Sequence, residues 1–206
     1  MIDVVTPDLY ATYASELRLM FQQRYRVFRQ RMGWKVAGEL GEERDEFDAL
    51  DPIYLLAFGD QLELVGSWRF LPTTGRYMLR NVFPQLISGM KAPYHPLIWE
   101  GSRFAVEGRS ARGRTSSELL CAVTETCIAL GIRELITVYD ARMERLLPRL
   151  GCPPTWQSQP CLIDAVPAYT GRFDMNHATL ASLRAVAGIQ GSVIRNASFL
   201  DEAAVA

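Results

Sequence analysis

The chain has 206 residues, of which 49% are hydrophobic, and its 22 Lys and Arg residues nearly balance its 23 Asp and Glu residues. This size and apolar content predict one globular domain with a well-buried core. The near-zero net charge argues against a protein that binds nucleic acid or a membrane surface by overall electrostatic attraction. Neither a secretory leader pattern nor an uncharged apolar run of about 18 residues occurs, so we expect a cytoplasmic protein that does not enter the membrane.

The cysteines and histidines give little support for a metal site. The four cysteines lack a paired Cys-x-x-Cys spacing, and the only histidines are His95 and His177. This set of ligands is poor for a zinc site. We therefore expect no bound metal, and reduced cysteines that mostly serve packing.

The first predicted element is a helix over residues 16–31. Phe21, Arg24 and Phe28 recur at three- and four-residue steps and so share one face. Arg24 would be partly removed from water there and would need an anionic partner, which the acidic stretch 39–51 could supply. The local pattern alone more often describes an arginine whose charged end reaches solvent.

Residues 53–58 and 62–70 are predicted to form an antiparallel pair of strands, joined by a short connection at residues 59–61. In the second strand, alternation points Arg69 to the face opposite Trp68. A long cation on a strand rich in core residues needs a carboxylate.

Asp45 and Asp48 are the natural partners for Arg69. A network of this kind could also leave one carboxylate free to bind a substrate ammonium.

The remaining predicted elements alternate. They are a strand at 77–79, a strand at 97–106, a helix at 115–130 that opens with a capping-box pattern, a strand at 135–139, a helix near 142–150, and a last strand and helix. The fold class is therefore α+β or mixed-sheet α/β, with one domain over residues 1–206 and a disordered tail at 201–206.

The segment 99–104 combines aromatic and ionisable residues. Ideal alternation puts Glu100, Ser102 and Phe104 on one face and Arg103 on the other. A β-bulge at Gly101 would rotate one of the charged residues and expose backbone N–H groups that could polarise a carbonyl. The alternative is a simple cross-strand ion pair.

A basic stretch, Arg109, Arg112 and Arg114, precedes the helix predicted at 115–130. Arginines followed by a glycine and a helix N-terminus are typical of a site for a phosphate. An exposed basic loop is the alternative.

Ten residues in register resemble the signature of the acyl-homoserine lactone synthases, the autoinducer synthases of bacterial quorum sensing. They are Arg24, Phe28, Trp34, Asp45, Asp48, Arg69, Phe83, Glu100, Ser102 and Arg103. The resemblance covers roughly the first half of the chain in detail, with the spacings Arg-x3-Phe-x5-Trp and Asp-x2-Asp. The second half is similar only in its pattern of helices and strands.

The resemblance implies a fold similar to the GCN5-related N-acyltransferases and a two-step reaction. S-adenosylmethionine accepts an acyl group on its amine from acyl carrier protein or acyl-CoA, and the product then lactonises and releases methylthioadenosine. S-adenosylmethionine is a substrate, and no cofactor is expected.

The resemblance also implies roles for individual residues. Arg24, Phe28 and Trp34 match positions around the adenosylmethionine pocket, with Phe83 and Phe104 expected to complete it. The charged cluster is Asp45, Asp48, Arg69 and Arg103. Glu100 matches the proposed base, beside Ser102 and Arg103. Arg109, Arg112 and Arg114 fall where related acyltransferases bind a pantetheine pyrophosphate, although their glycine-rich pattern is incomplete here.

The acyl chain is expected to contact the second half of the chain. The candidate lining residues are Val123, Leu135, Thr137, Tyr139, Met143 and Leu146. They could equally be ordinary core. Thr137 matches a position that is often threonine in synthases of 3-oxoacyl products, so we expect a 3-oxo chain.

Two other functions fit parts of the pattern. A general GCN5-like acyltransferase would explain the fold and the basic stretch, but not the combination of Arg24, Phe28 and Trp34. A non-catalytic sensor could use the same cleft to bind a ligand without turnover.

Overall fold

The computed structural model describes residues 1–107 and 112–196, with no side chains for residues 112 and 113. Eight strands form one mixed sheet with helices against its faces, which confirms the predicted fold class. The strands run in the order β1-β2-β3-β4-β5-β8-β6, and β7 also pairs with β8. They are β1 Ile2–Val5, β2 Ile53–Phe58, β3 Leu64–Pro72, β4 Ile98–Val106, β5 Glu134–Asp140, β6 Trp156–Gln157, β7 Cys161–Ile163 and β8 Val166–Asp174.

In the described part of the chain, five α-helices and several shorter turns connect the strands. The helices are α1 Ala14–Arg24, α2 Met78–Asn81, α3 Arg112–Ala129, α4 Ala141–Arg149 and α5 His177–Ala187. A π-helical segment, Tyr25–Arg31, continues α1. Short 3-10 turns occupy Pro7–Leu9, Glu46–Ala49 and Pro84–Ile87.

The centre of the sheet contains its one parallel pairing among the described strands, between β4 and β5. It joins Ile98–Gly101 to Glu134–Thr137. Both strands continue beyond the last rung, Gly101 to Thr137, but the described residues pair no further. The two strands therefore separate and leave a gap in the middle of the sheet.

The two faces of β3 have different chemistry, as the alternation predicted. Trp68 and Phe70 belong to the main apolar core under α3 and α5. Ser67 and Arg69 point to the opposite face, where Ser67 donates a hydrogen bond to Gln23 of α1 and Arg69 meets acidic residues. β3 thus separates an apolar layer from a charged layer.

Two predictions about local structure are wrong. Residues 77–79 begin helix α2 instead of forming a strand, because the amides of Met78 and Leu79 bind the carboxylate of Glu100. The helix predicted from Thr115 begins at Arg112, so Thr115 lies inside α3 instead of capping it. The helix predicted over 16–31 is present, with α geometry to Arg24 and π geometry from Tyr25 to Arg31.

The C-terminal segment covers the edge strand β1. Asn196 donates its side-chain amide to the Val4 carbonyl and accepts a hydrogen bond from the Val4 amide. Arg195 pairs with the fully buried Asp3. The predicted tail at 201–206 lies outside the described residues. The helices of the described part of the chain include none that is long and apolar enough to span a bilayer.

Replacing Asn196 with Ala should lower the free energy of unfolding by about 1–2 kcal/mol, because both backbone groups of the buried Val4 lose their partner. Urea denaturation measures the change. As a control, Gln190→Ala at an exposed position should change it by less than about 0.5 kcal/mol. If Asn196→Ala is as stable as the parent protein, the C-terminal segment does not secure this edge.

Candidate active site

Three arginines and three carboxylates from four segments form one buried ionic network. The members are Arg24 at the end of α1, Glu43, Asp45 and Asp48 from the loop and turn at 43–48, Arg69 on β3 and Arg103 on β4. The side chains of Arg24, Arg69 and Glu43 are 0% exposed. Charges so far from water are stable only when paired and hydrogen-bonded.

Arg24 is held by two acids. Its Nη1 and Nη2 lie 2.8 and 2.9 Å from the two carboxylate oxygens of Asp48, a bidentate pair. Its Nε donates to Glu43 at 2.5 Å. The anionic partner predicted for Arg24 is therefore present, and the solvent-directed alternative is wrong.

Arg69 binds both predicted partners. Its Nη1 and Nη2 donate to Asp45 at 2.5 and 3.0 Å, and Nη1 also contacts Asp48 at 2.8 Å. Its Nε donates to the Ser102 hydroxyl at 3.1 Å. Ser102 thus links the arginine of β3 to the neighbouring strand β4.

The turn at Glu46–Ala49 orients the two aspartates. Asp45 caps it by accepting the Phe47 amide, while Asp48 accepts the Asp45 amide, so the pair forms a capping box. Asp48 also accepts the hydroxyl of Tyr54. Burial alone would raise the pKa of Asp48, but Arg24 and Arg69 hold it well below its usual range.

A β-bulge brings Arg103 into the network. The pairing of β3 with β4 shifts so that Arg103 and Phe104 together lie opposite Trp68. Arg103 has a φ of +56°, in the left-handed region. It contacts Glu43 and Asp45 on the face of Glu100 instead of pointing away, as ideal alternation would require.

The bulge was predicted at Gly101, and this position is wrong. Gly101 lies in regular register with Phe70 on one side and Thr137 on the other. Its absent side chain has another purpose: a Cβ there would lie 2.2 Å from the Trp68 ring. The glycine is therefore required by close packing, while the change of face occurs two residues later.

Glu100 stands beside the network and forms no ion pair with any of the residues that the structure describes. It is 1% exposed, and its two oxygens accept the amides of Met78 and Leu79 at 2.8 and 2.7 Å. Burial raises the pKa of this carboxyl to about 7, against the opposing effect of the two amides and of Arg69 and Arg103. A carboxylate that titrates near neutral pH is suited to proton transfer.

Met78 occupies the space between two guanidinium groups. Its sulfur lies 3.1 Å from Arg69 Nη2 and 3.3 Å from Arg103 Nη1. A thioether is a weak hydrogen-bond acceptor. The two guanidinium groups could therefore release it and bind a stronger acceptor, such as a carboxylate.

Arg103 and Asp45 are also the most open members of the network, with side chains 11% and 14% exposed. A charged ligand would reach them first.

Phe28 and Trp34 form the aromatic wall of the site. Their rings stack with centroids 5.2 Å apart and planes 8° from parallel. The guanidinium of Arg103 lies 5.7 Å from the Phe28 ring centre. Trp34 also lines an open groove of about 550 Å³, formed by residues 29 and 33–37. The predicted aromatic and charged residues therefore meet.

Two predicted pocket residues lie elsewhere. Phe104 packs edge-on against Trp68 at 5.5 Å, in the apolar layer behind the network. Phe83 is half-buried in a separate apolar cluster that contains Phe47 and Tyr77. The described packing of both residues is therefore with apolar side chains of the layers around the network.

The predicted phosphate site cannot be described as a whole. Arg109 lies outside the described residues, and so does the side chain of Arg112. Arg114 is 85% exposed in its side chain and pairs with Glu118 one turn along α3.

An apolar cavity lies behind the sheet, between β3, β5 and α3. Its volume is about 20 Å³, and its walls include Val123, Leu135 and Thr137 of the predicted acyl-lining set. Tyr139 and Met143 pack in the same core but do not line this cavity. Leu146 is half-buried on α4 beside the wall residue Leu147.

Sequence reasoning missed three contributors. Glu43 was counted only as one acid of the stretch 39–51 and was not singled out, although it is fully buried. Met78 was placed in a strand, and Tyr54 was not considered. The alternation of polar and apolar residues on the strand of Tyr54 carries no signal, because all six residues of β2 are buried.

Comparison with known proteins places the site in context. A family model described as autoinducer synthase matches residues 8–183. The acyl-homoserine-lactone synthase of Aliivibrio fischeri is 38% identical over 151 residues, 71% of this chain and 78% of the relative. That of Agrobacterium fabrum is 36% identical over 182 residues, 85% of this chain and 86% of the relative.

Solved structures agree with these matches. The CoA-dependent acyl-homoserine lactone synthase BjaI, determined with SAM and isopentyl-CoA, has a TM-score of 0.85 and 27% identity, covering 100% of this chain and 99% of that one. An acyl-CoA N-acyltransferase from Pseudomonas aeruginosa has a TM-score of 0.54 at 18% identity, covering 84% of this chain and 97% of that one, and shares the fold.

Replacing Arg69 with Ala should lower the free energy of unfolding by about 3–5 kcal/mol, because it leaves buried carboxylates without their cation. Arg18→Ala is the matched control, since Arg18 is 71% exposed and pairs with Glu42 at the surface. The control should cost less than about 1 kcal/mol. Chemical denaturation of both variants tests this, and equal small losses would contradict it.

Glu100 should make stability depend on pH. Because its pKa is raised from 4.5 to about 7 in the folded chain, the native state holds an extra proton between these values. Stability should therefore fall as pH rises from about 4.5 to 7, by about 3 kcal/mol relative to a Glu100→Gln protein. Denaturation curves of both proteins across this range give the difference, and a flat difference would count against the shifted pKa.

Proposed function

The chain belongs to the autoinducer synthase family, and we propose that it is an acyl-homoserine lactone synthase in which the network around Glu100 binds and acylates S-adenosylmethionine. The observation that carries this proposal is the position of Glu100. It is a buried carboxylate with a pKa near 7, on the same face as the two most accessible members of the network. The family resemblance inferred from the first half of the chain is confirmed.

The amino-acid end of the substrate is zwitterionic and needs one cation and one anion. Arg103 and Asp45 offer both at the open side of the network. Among the described residues, the hydrogen-bond partner of Arg103 Nη1 is the Met78 sulfur, so a substrate carboxylate would replace a weak acceptor with a strong one. Asp45 would accept the substrate ammonium. Arg24, Asp48 and Arg69 hold these two groups in place.

The adenosyl and sulfonium groups would lie against Trp34 and the open groove next to it. One face of Phe28 is covered by Trp34 and Arg103 lies nearby, which leaves the outer face of Trp34 available. A sulfonium over an aromatic face gains about 1 kcal/mol.

Acyl transfer begins when Glu100, directly or through a water, removes a proton from the substrate ammonium. The free amine attacks the thioester carbonyl, and the developing oxyanion is stabilised by backbone N–H groups of the bulge at Arg103 and Phe104. The new amide forms as the carbon–sulfur bond of the thioester breaks and the thiol leaves.

Lactonisation follows on the same substrate. The carboxylate of the acylated product attacks its own γ-carbon, and the carbon–sulfur bond to the sulfonium breaks. Methylthioadenosine leaves as a neutral thioether, and the acyl-homoserine lactone remains. No cofactor is required, because S-adenosylmethionine supplies both the amine and the leaving group.

The acyl donor is acyl carrier protein or acyl-CoA. Its thioester would lie at the gap between β4 and β5, and its acyl chain would extend past Thr137 towards Met143 into the apolar layer. The basic residues Arg109, Arg112 and Arg114 would meet the phosphates of the pantetheine arm. We also propose that residues 1–206 form one acyltransferase-like domain that acts in the cytoplasm.

Incubating the protein with S-adenosylmethionine and an acyl donor should release methylthioadenosine and yield a lactone identified by mass spectrometry. Glu100→Gln should lower the rate by about 10² or more, as expected for loss of a general base. The control Glu46→Gln changes an exposed carboxylate that pairs with Arg76 and should leave the rate unchanged.

Acylated product without methylthioadenosine would point to a plain N-acyltransferase. Binding of S-adenosylmethionine without any turnover would point to a sensor.

A further inference from the structure

The indole N–H of Trp68 is a buried hydrogen-bond donor. The residue is 4% exposed, and its indole N–H has no hydrogen-bond partner among the described residues. Buried indole N–H groups usually find an acceptor, because leaving one unpaired costs about 1–3 kcal/mol. An unpaired donor in this position indicates a partner that arrives with a ligand.

The surroundings of Trp68 place this donor beside the gap in the sheet. The ring atoms Cζ2 and Cε2, the latter bonded to the indole nitrogen, lie 2.2 and 2.8 Å from where a Cβ of Gly101 would be. Gly101 and Thr137 form the last rung between β4 and β5. Trp68 also lies directly opposite the bulge at Arg103 and Phe104. Only a glycine at 101 allows the indole to approach so closely.

Trp68 lines the small cavity together with Thr124, Thr137 and apolar residues. The hydroxyl of Thr124 is occupied by the Leu120 carbonyl. The cavity volume of about 20 Å³ matches one oxygen-sized group and is too small for an alkyl chain. An entering acyl chain must therefore move apart the side chains around Trp68, and its first carbons would meet the indole.

We propose that the indole N–H of Trp68 donates a hydrogen bond to an oxygen on the third carbon of the acyl chain, and so makes Trp68 a specificity-determining residue. The inference rests on the proposed function. When the thioester carbonyl carbon (the first carbon of the acyl chain) lies at the bulge, the third carbon is two bonds further along the chain. It then lies in the apolar layer that contains Trp68. An oxo or a hydroxy oxygen would serve, since both accept hydrogen bonds.

Selectivity follows from the cost of leaving the donor unpaired. An unsubstituted chain fills the cavity but shields the indole N–H from any water, whereas a 3-oxygenated chain supplies the acceptor. A site built to hydrogen-bond a substrate group discriminates against the analogue that lacks it. The expected preference from one neutral hydrogen bond is about tenfold.

The test compares kcat/KM for 3-oxo, 3-hydroxy and unsubstituted acyl donors of one chain length, in the parent protein and in Trp68→Phe. The variant should lower the ratio of oxygenated to unsubstituted donor about tenfold. Trp156→Phe, on the short strand β6 and 36% exposed, is the matched control and should leave the ratio unchanged. A purely structural role for Trp68 would lower the rate for every donor equally.

A fall in the ratio for either oxygenated donor supports the proposal, and unchanged ratios for both overturn it. Should Trp68→Phe fail to fold, 3-benzothienylalanine at position 68 replaces the N–H by sulfur and keeps the shape of the ring, and the same ratios decide. A parent protein that releases methylthioadenosine with all donors keeps the proposed function even where the ratios do not change. A parent protein that releases none with any donor overturns both.

Discussion

The structure depends on one constraint: three guanidinium groups lie mostly or wholly out of contact with water, and each must be matched by a carboxylate. Arg24, Arg69 and Arg103 come from three different elements, and the loop at 43–48 supplies the acids for all of them. Satisfying the donors of a rigid guanidinium fixes direction as well as distance. The network therefore sets the position of the end of α1, of β3 and of β4 relative to one another.

Such a network is a poor source of net stability, because desolvating six charges offsets most of their attraction. Its value here is geometric. The capping box holds Asp45 and Asp48 through backbone amides of their own turn, and the two aspartates orient Arg24 and Arg69. Asp45 and Arg103 are the members with the most contact with solvent. A substrate thus meets two charges that are already in place.

The parts of this arrangement that the sequence could predict follow from simple periodicity. Arg24 and Arg69 were expected to need acids because each is a cation among core residues, and the acidic stretch 39–51, with Asp45 and Asp48, was the expected source. The sequence does not show where the side chains of β4 change face, because the change depends on the left-handed backbone of Arg103. The residues that usually mark a left-handed backbone are glycine and asparagine, not arginine. Likewise, residues 77–79 have strand composition, but a carboxylate 21 residues away binds their amides and starts a helix.

Glu100 differs from the acids of the network because it forms no ion pair with the described residues. Burial raises its pKa to about 7, because Arg69 and Arg103 are engaged with other acids and offset only part of the cost of removing this carboxylate from water. A bound sulfonium would supply the missing positive charge and lower that pKa. Glu100 would then lose its proton as the substrate binds, and so become able to accept one when the substrate ammonium must be deprotonated.

The amides of helix α2 keep the carboxylate in position, since they bind both of its oxygens. The burial of Glu100 is therefore part of its role, because an exposed Glu100 would remain ionised at neutral pH and would not be sensitive to the arrival of the substrate.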